Sequence, residues 1–546
     1  MSIDIGLVVD SQKSIFKSAI SFLSGTFISR ITGLLRDVSL AYAFGTSAKI
    51  AALMVAFRLS NFFRRMLGEG SLQAAFIPQF ESLKAVDPNR AIEFFCELKK
   101  LLSFVLIAVV TVSVLLFFSL ANFFNLKEQF NSEWNEVFSL TTFLMPSLFF
   151  ISLYGLNSAL LQCEKFYFIP SVAPVAFNLM WVIGVFCVMH FPVEQAITYL
   201  TGFIVLACAG QWLITIPKTR LILLQHQKTK KTCNSFFSVD IKKLIPPLFM
   251  SILGIASTQI NSTLDPFFAI YANSSGPAYL WYAIRLEQLP LSLFGIALSS
   301  ALLPPLSRAI KNNQIEKYKV FLETSLRKTL VFIIPIAFSY FIIGDSFICL
   351  LFGRGDFDVE SVIDTTKCLW GYTFGLIPSS LILILAPGFY SLKSYRTPMI
   401  LTIISVILNI LLNSFFVFYL KMGAEAIAFA TAISAWFNCF FLIRALKIEV
   451  GVFFTRKTWI ILFATVVLSF AGSVLSCIAE LSFFGQATAL EIYKEEIPNF
   501  PIRFSFQLLR LLIQAISFGI PIIPFWIYEI WFLEKPTDLR VQNTVL

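Results

Sequence analysis

The sequence predicts an all-α membrane protein with about fourteen transmembrane helices. Of its 546 residues, 57% are hydrophobic and only 14% are charged, against roughly 25% charged in an ordinary soluble domain. Apolar segments of about 20 residues, long enough to span a bilayer, recur along the whole chain with short connections between them. A soluble chain of this length would need several polar surfaces. The composition therefore indicates a polytopic membrane protein.

Fourteen segments fit a membrane span, and the first two are the least apolar. They are 14–43, 48–83, 98–122, 137–163, 168–190, 194–217, 241–272, 277–308, 318–343, 361–391, 397–420, 424–446, 457–480 and 504–533. Asp4 and Asp10 interrupt the start of the chain, so we interpret the first apolar segment as a retained helix and not a cleaved signal. Gly68 and Gly70 allow a break in the second span.

The 42 Lys and Arg residues orient the chain. If both termini are cytoplasmic, the inner connections with the adjoining span ends hold 28 of them, the outer connections with their span ends hold six and the interiors of the spans hold eight. Basic residues concentrate on the cytoplasmic side of membrane proteins. The distribution thus supports fourteen spans with both ends inside, and it explains the net charge of +10 without nucleic acid as a partner.

The chain contains an internal repeat. Shifted by 227 residues, Ala56–Pro78 falls on Ala283–Pro305, and Arg58 aligns with Arg285. A weaker echo relates Lys165–Pro170 to Lys393–Pro398. The repeat predicts two pseudo-symmetric six-helix lobes plus an extra helical pair, an arrangement common in transporters. The predicted divisions are 1–225 for the N-terminal lobe, 226–240 for a basic cytoplasmic linker, 241–447 for the C-terminal lobe, and 448–546 for the last two helices and tail.

Basic residues inside predicted spans are the strongest functional signal. The eight are Arg30, Arg36, Arg58, Arg64, Arg65, Arg285, Lys367 and Arg510. Charges at membrane depth are costly and usually functional, although single members can be snorkelling anchors or buried ion pairs. Five arginines against Asp37 and Glu69 in the first two spans leave excess positive charge. Because the arginine fork suits phosphate oxygens, this cluster predicts a polyanionic substrate such as a diphosphate.

Helical periodicity groups the residues of this cluster. At 100° per residue, Arg30 and Asp37 share one face of the first span, whereas Arg36 points elsewhere. In the second span a stripe at i, i+3, i+7 and i+11 holds Arg58, Asn61, Arg65 and Glu69. This stripe favours Arg65 over Arg64 as the residue that faces the substrate.

A second polar set lies in later spans, comprising Asp265, Asn409, Asn413 and Thr431. These oxygen ligands suit a small hard cation, but ordinary hydrogen bonds between helices explain them equally well. Nine scattered Cys without a CxxC pair and only two His indicate neither a disulfide framework, a zinc site nor His-based catalysis. A membrane-embedded enzyme would need clustered carboxylates or His, so transport is favoured over catalysis. A scaffold without transport activity is the other alternative, and it leaves the arginines unexplained.

Four motifs resemble the MurJ/MviN lipid II flippases of the MOP exporter superfamily. They are Ser29–Asp37 (SRITGLLRD), Asn61–Arg65 (NFFRR) continuing into Glu69–Gly70, Arg285–Pro290 (RLEQLP) and Leu385–Tyr390 (LAPGFY). The resemblance covers essentially the whole chain. It implies a fourteen-helix inner-membrane transporter with a central cavity, which moves undecaprenyl-pyrophosphate-linked peptidoglycan precursor from the cytoplasmic to the periplasmic leaflet.

The resemblance also assigns residues. It places pyrophosphate contacts on Arg30, Arg36, Arg64 and Arg285, and thus favours Arg64 where the helical stripe favours Arg65. It implies a groove for the lipid tail on the last two helices. The chain departs from the family at Ala51, where many members carry Asp. The predicted substrate-binding residues are Arg30, Arg36, Asp37, Asn61, Arg64, Arg65, Glu69 and Arg285.

The resemblance further implies partners and an energy source. The expected partners are lipid II, membrane lipids, and cell-wall synthesis and division proteins. No organic cofactor is expected. Sodium, at Asp265, Asn409, Asn413 and Thr431, or the membrane potential would supply energy. The alternative is a cation-coupled exporter like the MATE transporters, but its cavity should be acidic or neutral and not rich in arginine.

Overall fold

Regular secondary structure in this protein is helical. The computed structural model describes residues 12–68, 70–126, 132–225, 238–292, 297–484 and 500–531, and across these ranges it contains helices and no strand. The predicted all-α fold class is confirmed.

Each predicted span coincides with one helix or with a pair of helices. The helices are α1 (Gln12–Phe44), α2 (Ala48–Leu67), α3 (Ser71–Val86), α4 (Pro88–Leu126), α5 (Ser132–Leu144), α6 (Ser147–Cys163), α7 (Phe168–Val188), α8 (Val193–Gln225), α9 (Val239–Ala272), α10 (Gly276–Pro290), α11 (Ala297–Lys311), α12 (Ile315–Leu351), α13 (Val359–Ser391), α14 (Arg396–Ser414), α15 (Glu425–Val450), α16 (Arg456–Phe484) and α17 (Phe500–Trp531). A π-helical turn, Phe415–Tyr419, continues α14.

Within the described ranges, nine helices are long and apolar enough to cross a membrane. They are α4, α7, α8, α12, α13, α14 with its π-helical turn, α15, α16 and α17. The pair α5–α6, bent by 46° where Pro146 follows α5, makes a tenth span if it is counted as one. The other four predicted spans correspond to α1, α2–α3, α9 and α10–α11. The protein is therefore multi-pass, and the count of fourteen remains a prediction.

The second predicted span is broken at its glycines. Gly68 ends α2, and Gly70 precedes α3 with φ of 93°, a backbone conformation that glycine adopts readily and other residues rarely. A Cβ at Gly68 would come within 2.8 Å of the Ser152 backbone on α6. The glycines thus permit both the turn and the close approach of α6.

The internal repeat is visible in the backbone. In the eighth predicted span, α10 ends at Pro290 and a π-helical turn follows it, and α11 begins at Ala297; residues 293–296 lie outside the described residues. Lys165 and Lys393, which precede α7 and α14, both have positive φ, 64° and 61°. The turns that precede α7 and α14 are therefore alike.

Apart from the first helix of each half, helix packing repeats in the same order. In the first half α2 packs on α5, α3 on α4 and α6, α6 on α8, and α7 on α8. In the second half α10 packs on α13, α11 on α12 and α13, α13 on α15, and α14 on α15. The extra helices α16 and α17 pack on each other and on α12. Two pseudo-symmetric lobes with an additional C-terminal pair are confirmed.

The chain forms two compact units, Met1–Ile270 and Tyr271–Leu546. The start of α9 belongs to the first unit, because Ile241 and Leu244 lie in its apolar core and Asp240 pairs with Arg90 at 2.7 Å. The predicted linker, 226–240, lies mostly outside the described residues and remains a prediction.

The C-terminal pair is anchored to α12 by polar contacts. Glu323 Oε1 accepts hydrogen bonds of 2.6 Å from the Thr455 backbone N–H and from the Thr458 hydroxyl, which caps the start of α16. Near the end of α17, Trp526 Nε1 donates to the Val331 carbonyl at 2.9 Å. These contacts fix both added helices against one helix of the repeated bundle.

Candidate functional site

In the first unit, α1 and α7 lie unusually close together. A Cβ at Gly25 would stand 2.1 Å from the Ser171 hydroxyl oxygen, so only glycine fits there without a shift. The α1 residues that contact α7 follow helical spacing. They are Gly25, Ser29, Thr32 and Arg36. Small residues at this interface allow close backbone approach, as is common between helices in membranes.

Arg36 is held between a carboxylate and an amide. Its Nε and Nη2 both donate to Asp37 Oδ1, at 3.0 and 2.8 Å, and its Nη1 donates to Asn178 Oδ1 at 3.2 Å. Arg36 is 8% exposed and Asp37 is 2% exposed. A buried charge is tolerated only when it is paired and hydrogen-bonded, and this arrangement meets that requirement.

Aromatic rings of α7 bring Arg36 and Arg64 together. The guanidinium carbon of Arg36 lies 4.9 Å from the ring centroid of Trp181 and 6.0 Å from that of Phe177. The guanidinium carbon of Arg64, on α2, lies 5.8 Å from the same Phe177 centroid. The negative faces of aromatic rings attract cations by about 0.5–2 kcal/mol each. Arginines from two different helices therefore meet at one ring.

The two guanidinium groups repel each other. Because both lie near one ring centroid, their central carbons are at most about 12 Å apart, and the repulsion is at least about 1.4 kcal/mol at an effective dielectric constant of 20. One charge is balanced by Asp37. An anion bound near both groups would reduce this repulsion.

The other predicted residues of α1 and α2 are placed differently. Arg65 is exposed and donates to Gln259 Oε1 on α9 at 2.9 Å, so Arg64 and not Arg65 lies beside Arg36. Arg30 is exposed on another face of α1, and Arg58 and Asn61 are half-buried on α2. Glu69, predicted on the same stripe as Arg65, lies outside the described residues.

Arg285 lies in the second unit, on α10. Its guanidinium carbon is 4.2 Å from the ring centroid of Trp281, one helical turn earlier. The Tyr340 hydroxyl donates to the Leu286 carbonyl at 2.8 Å, which ties α10 to α12. Arg285 is thus held by an aromatic ring, as Arg36 and Arg64 are in the first unit.

Two of the eight basic residues predicted at membrane depth are ion-paired outside this set. Lys367 pairs with Asp364 at 2.8 Å on the same helix. Arg510 pairs with Glu480, joining α17 to α16, and Gln514 Nε2 donates to the other carboxylate oxygen of Glu480 at 2.8 Å. Both pairs have a structural explanation.

The amide residues predicted as cation ligands form a hydrogen-bonded chain. Asn413 Nδ2 donates to Asn409 Oδ1 at 3.0 Å, and Asn409 Nδ2 donates to Thr431 Oγ1 at 3.1 Å. In this chain Asn409 Oδ1 and Thr431 Oγ1 each accept a hydrogen bond from a neighbouring amide. Asp265, the fourth predicted ligand, is buried in the first unit. The described residues contain no group of three His, Cys, Asp or Glu side chains suited to a metal, and the sodium site remains a prediction.

Sequence reasoning missed Phe177, Asn178 and Trp181, the α7 residues that surround Arg36. The three lie close together on one side of α7, at i, i+1 and i+4. Asn178 is a polar residue in an otherwise apolar span, and such amides usually bond to a neighbouring helix. That signal was present in the sequence, but its partner was not, because α1 and α7 are separated by more than 120 residues.

The repeated helix order, the long apolar helices and the arginines that the helices carry together define a class, a polytopic membrane transporter with internally repeated lobes. Comparison with known proteins gives the family. The sequence profile described as "Lipid II flippase MurJ" covers residues 40–493. This chain belongs to that family.

Curated relatives and solved structures agree with this assignment. A probable lipid II flippase MurJ of Chlamydia muridarum is 31% identical, over 78% of this chain and 77% of its own length. The corresponding protein of Vibrio cholerae is 28% identical, over 86% and 89%. A structure of lipid II flippase MurJ in an inward closed conformation is 23% identical, with a TM-score of 0.71, over 92% of this chain and 98% of that one.

The fold extends to multidrug transporters. An inward-facing MATE family transporter of the MOP superfamily has a TM-score of 0.63 at 12% identity, over 79% of this chain and 98% of that one. This likeness concerns the fold alone.

Proposed function

We propose that this protein is a lipid II flippase, a transporter and not an enzyme. It moves undecaprenyl-pyrophosphate-linked peptidoglycan precursor from the inner to the outer leaflet of the cytoplasmic membrane by alternating access, with both termini in the cytoplasm. Family membership supports the substrate and the membrane. The arginines of α1 and α2, together with Arg285, bind the pyrophosphate.

One observation carries the pyrophosphate assignment, the meeting of Arg36 and Arg64 at Phe177. The central carbons of both guanidinium groups lie within about 6 Å of one ring centroid, where Arg36 is buried and Arg64 is half-buried. A pyrophosphate supplies at least two negative charges and several acceptor oxygens. Its binding would relieve the repulsion and satisfy guanidinium donors at the same time.

The aromatic support also explains how these arginines would act during transport. A guanidinium stacked on a ring is more weakly hydrated than an ammonium, so it loses less on leaving water to bind phosphate. The break between α2 and α3 provides a position where backbone rotation can be absorbed during a lobe movement. The added pair α16–α17 would accommodate the lipid tail.

The alternative function is cation-coupled export in the manner of the MATE transporters, which share this fold. A cationic substrate or coupling ion would be repelled by the arginine pair at Phe177. Sodium remains a candidate for the energy source, and no step of the proposed cycle is derived through it.

The decisive experiment measures which leaflet holds the lipid precursor. A bacterial host is depleted of its own flippase and supplied with this gene, and fluorescently labelled precursor is assayed for accessibility from the periplasmic side. We expect the unmutated gene to restore outer-leaflet precursor. The Arg36→Ala and Arg64→Ala variants should fail at equal expression.

Lys49→Ala is the matched control. Lys49 is a basic residue of the same unit and pairs with Glu136 at 2.8 Å at the start of α2, so its loss should leave transport intact. If Arg36→Ala and Arg64→Ala restore the outer-leaflet precursor as well as Lys49→Ala does, the pyrophosphate assignment is wrong. If the unmutated gene fails in the host, purified protein in liposomes that contain the labelled precursor gives the same measurement without host partners.

A further inference from the structure

Asn178 connects α7 to α1 through both ends of its amide. Its Oδ1 accepts from Arg36 Nη1 at 3.2 Å. Its Nδ2 donates to the Ser29 carbonyl at 3.0 Å and to Thr32 Oγ1 at 3.1 Å. Asn178 is 5% exposed. One buried side chain therefore bonds three successive turns of the neighbouring helix.

The chemistry of this position requires an amide. The group facing Arg36 has to accept a hydrogen bond, and the group facing Ser29 and Thr32 has to donate. Aspartate would present an acceptor to the backbone carbonyl, and leucine would leave the Arg36 donor without its partner. An unsatisfied polar group at membrane depth is costly.

The contacts of Arg36 define what Asn178 does for it. Of the five N–H donors of a guanidinium, Nε and one Nη2 hydrogen are bonded to Asp37, and one Nη1 hydrogen is bonded to Asn178. Asp37 holds one edge of the planar guanidinium and Asn178 holds another. The Trp181 ring centroid lies 4.9 Å from its central carbon. Within the described part of the chain, one hydrogen on Nη1 and one on Nη2 are then available for a ligand.

We propose that Asn178 is a positioning residue of the phosphate site, an inference that rests on the proposed role of Arg36 as a pyrophosphate ligand. Asn178 contacts Arg36 and α1 but not the substrate. It fixes the plane of the guanidinium so that the two remaining N–H groups point in one direction. Without it, Arg36 would keep its charge and its ion pair with Asp37 but would lose its defined orientation.

The test measures binding of a polyprenyl pyrophosphate lipid to the full-length protein in nanodiscs. Asn178→Leu is expected to weaken binding about tenfold, the effect of one charge-assisted hydrogen bond. Asn157→Leu is the control, because Asn157 is equally buried and bonds Thr215 across α6 and α8 at 3.0 Å without an arginine. Its affinity should stay within about twofold of the unmutated protein.

A double-mutant cycle separates positioning from packing. If Asn178 acts through Arg36, adding Asn178→Leu to Arg36→Ala should cause no further loss of affinity. A further tenfold loss in that background would overturn the proposal. The proposal would also be overturned if Asn178→Leu and Asn157→Leu bound the pyrophosphate lipid with equal affinity. If Asn178→Leu does not fold, Asn178→Ala removes the same hydrogen bonds without added bulk and serves in both measurements.

Binding of polyprenyl monophosphate and of polyprenol, measured in the same way, distinguishes failure of the positioning role from failure of the proposed function. If the unmutated protein binds all three lipids equally and Arg36→Ala changes nothing, the pyrophosphate role is wrong, and the positioning role falls with it. If pyrophosphate is preferred and Arg36→Ala weakens its binding, but Asn178→Leu does not, only the positioning role is wrong.

Discussion

Replacing Asp37 by Asn tests the electrostatics of the arginine site most directly. The substitution keeps the shape of the side chain and one acceptor oxygen, but removes the negative charge that bonds Arg36 at 2.8 and 3.0 Å. We expect two opposite effects, a less stable protein and tighter binding of pyrophosphate. Few other roles of Asp37 would produce both.

The stability effect follows from burial. Both partners are nearly inaccessible, and breaking a buried ion pair by removing one member costs about 3–5 kcal/mol because the other charge is left uncompensated. The acceptor oxygen that Asn retains places the expected loss near the lower end, at about 3 kcal/mol. Thermal unfolding in nanodiscs should show a clearly lower Tm without ligand.

The binding effect follows from the charge. A phosphate bonded to Arg36 would lie about 8 Å from the Asp37 carboxylate, where repulsion at an effective dielectric constant of 20 is about 2 kcal/mol per charge. Removing it should tighten binding of a polyprenyl pyrophosphate at least about tenfold. The same lipid should then raise the Tm of Asp37→Asn more than that of the unmutated protein. Transport should slow, because a more tightly held substrate leaves more slowly.

Glu136→Gln provides the control. Its ion pair with Lys49 at 2.8 Å is partly exposed, so its loss should cost no more than about 1 kcal/mol and leave lipid binding unchanged. If Asp37→Asn instead weakens binding as much as Arg36→Ala does, Asp37 orients the guanidinium more than it competes with the substrate, and the reasoning is refuted.

Three further predictions use other parts of the structure. Arg64→Lys should weaken binding of polyprenyl pyrophosphate about tenfold, because Arg64 lies at the Phe177 ring. Arg65→Lys should weaken it by less than about twofold, because Arg65 bonds Gln259 instead. Equal losses would contradict the placement of the phosphate site at Phe177. Gly25→Ala should lower the free energy of unfolding by about 1–3 kcal/mol, because the new Cβ would meet the Ser171 hydroxyl on α7. Gly202→Ala is the control and should not lower it, because the space around Gly202 is open. Guanidinium or thermal unfolding compares the two variants. Glu323→Ala should lower the Tm by removing the cap of α16, at a cost of about 1–2 kcal/mol in the free energy of unfolding. The affinity for polyprenyl pyrophosphate should stay unchanged. An altered affinity would mean that the C-terminal pair influences the site.

Several features of this fold were predictable because they depend on local sequence. Hydropathy located a helix in each predicted span, and the glycines at 68 and 70 indicated the break that ends α2. The 227-residue repeat predicted two lobes with the same packing order. Fourteen spans could be counted in the sequence, but apolarity alone supports nine or ten of the described helices. The α1, α2–α3, α9 and α10–α11 segments carry polar residues along their length, and α2–α3 is also interrupted at its glycines.

The candidate site was predictable in composition and not in arrangement. Excess arginine in two spans indicated a polyanionic substrate, because such charges cannot be neutralised within those helices. The choice between Arg64 and Arg65 could not be made from helical periodicity. It depended on α7, which supplies the ring that Arg64 shares with Arg36, and on α9, which supplies the Gln259 acceptor for Arg65.

The sequence by itself determined the helical class, the repeat and the presence of uncompensated positive charge at membrane depth. These depend on residue type and on spacing along one helix. The tertiary structure alone decided that Phe177, Asn178 and Trp181 hold Arg36, and that Arg64 joins it there. The physical reason is that a guanidinium takes its orientation from the acceptors and rings around it. Here most of them come from a helix more than 110 residues away in the chain.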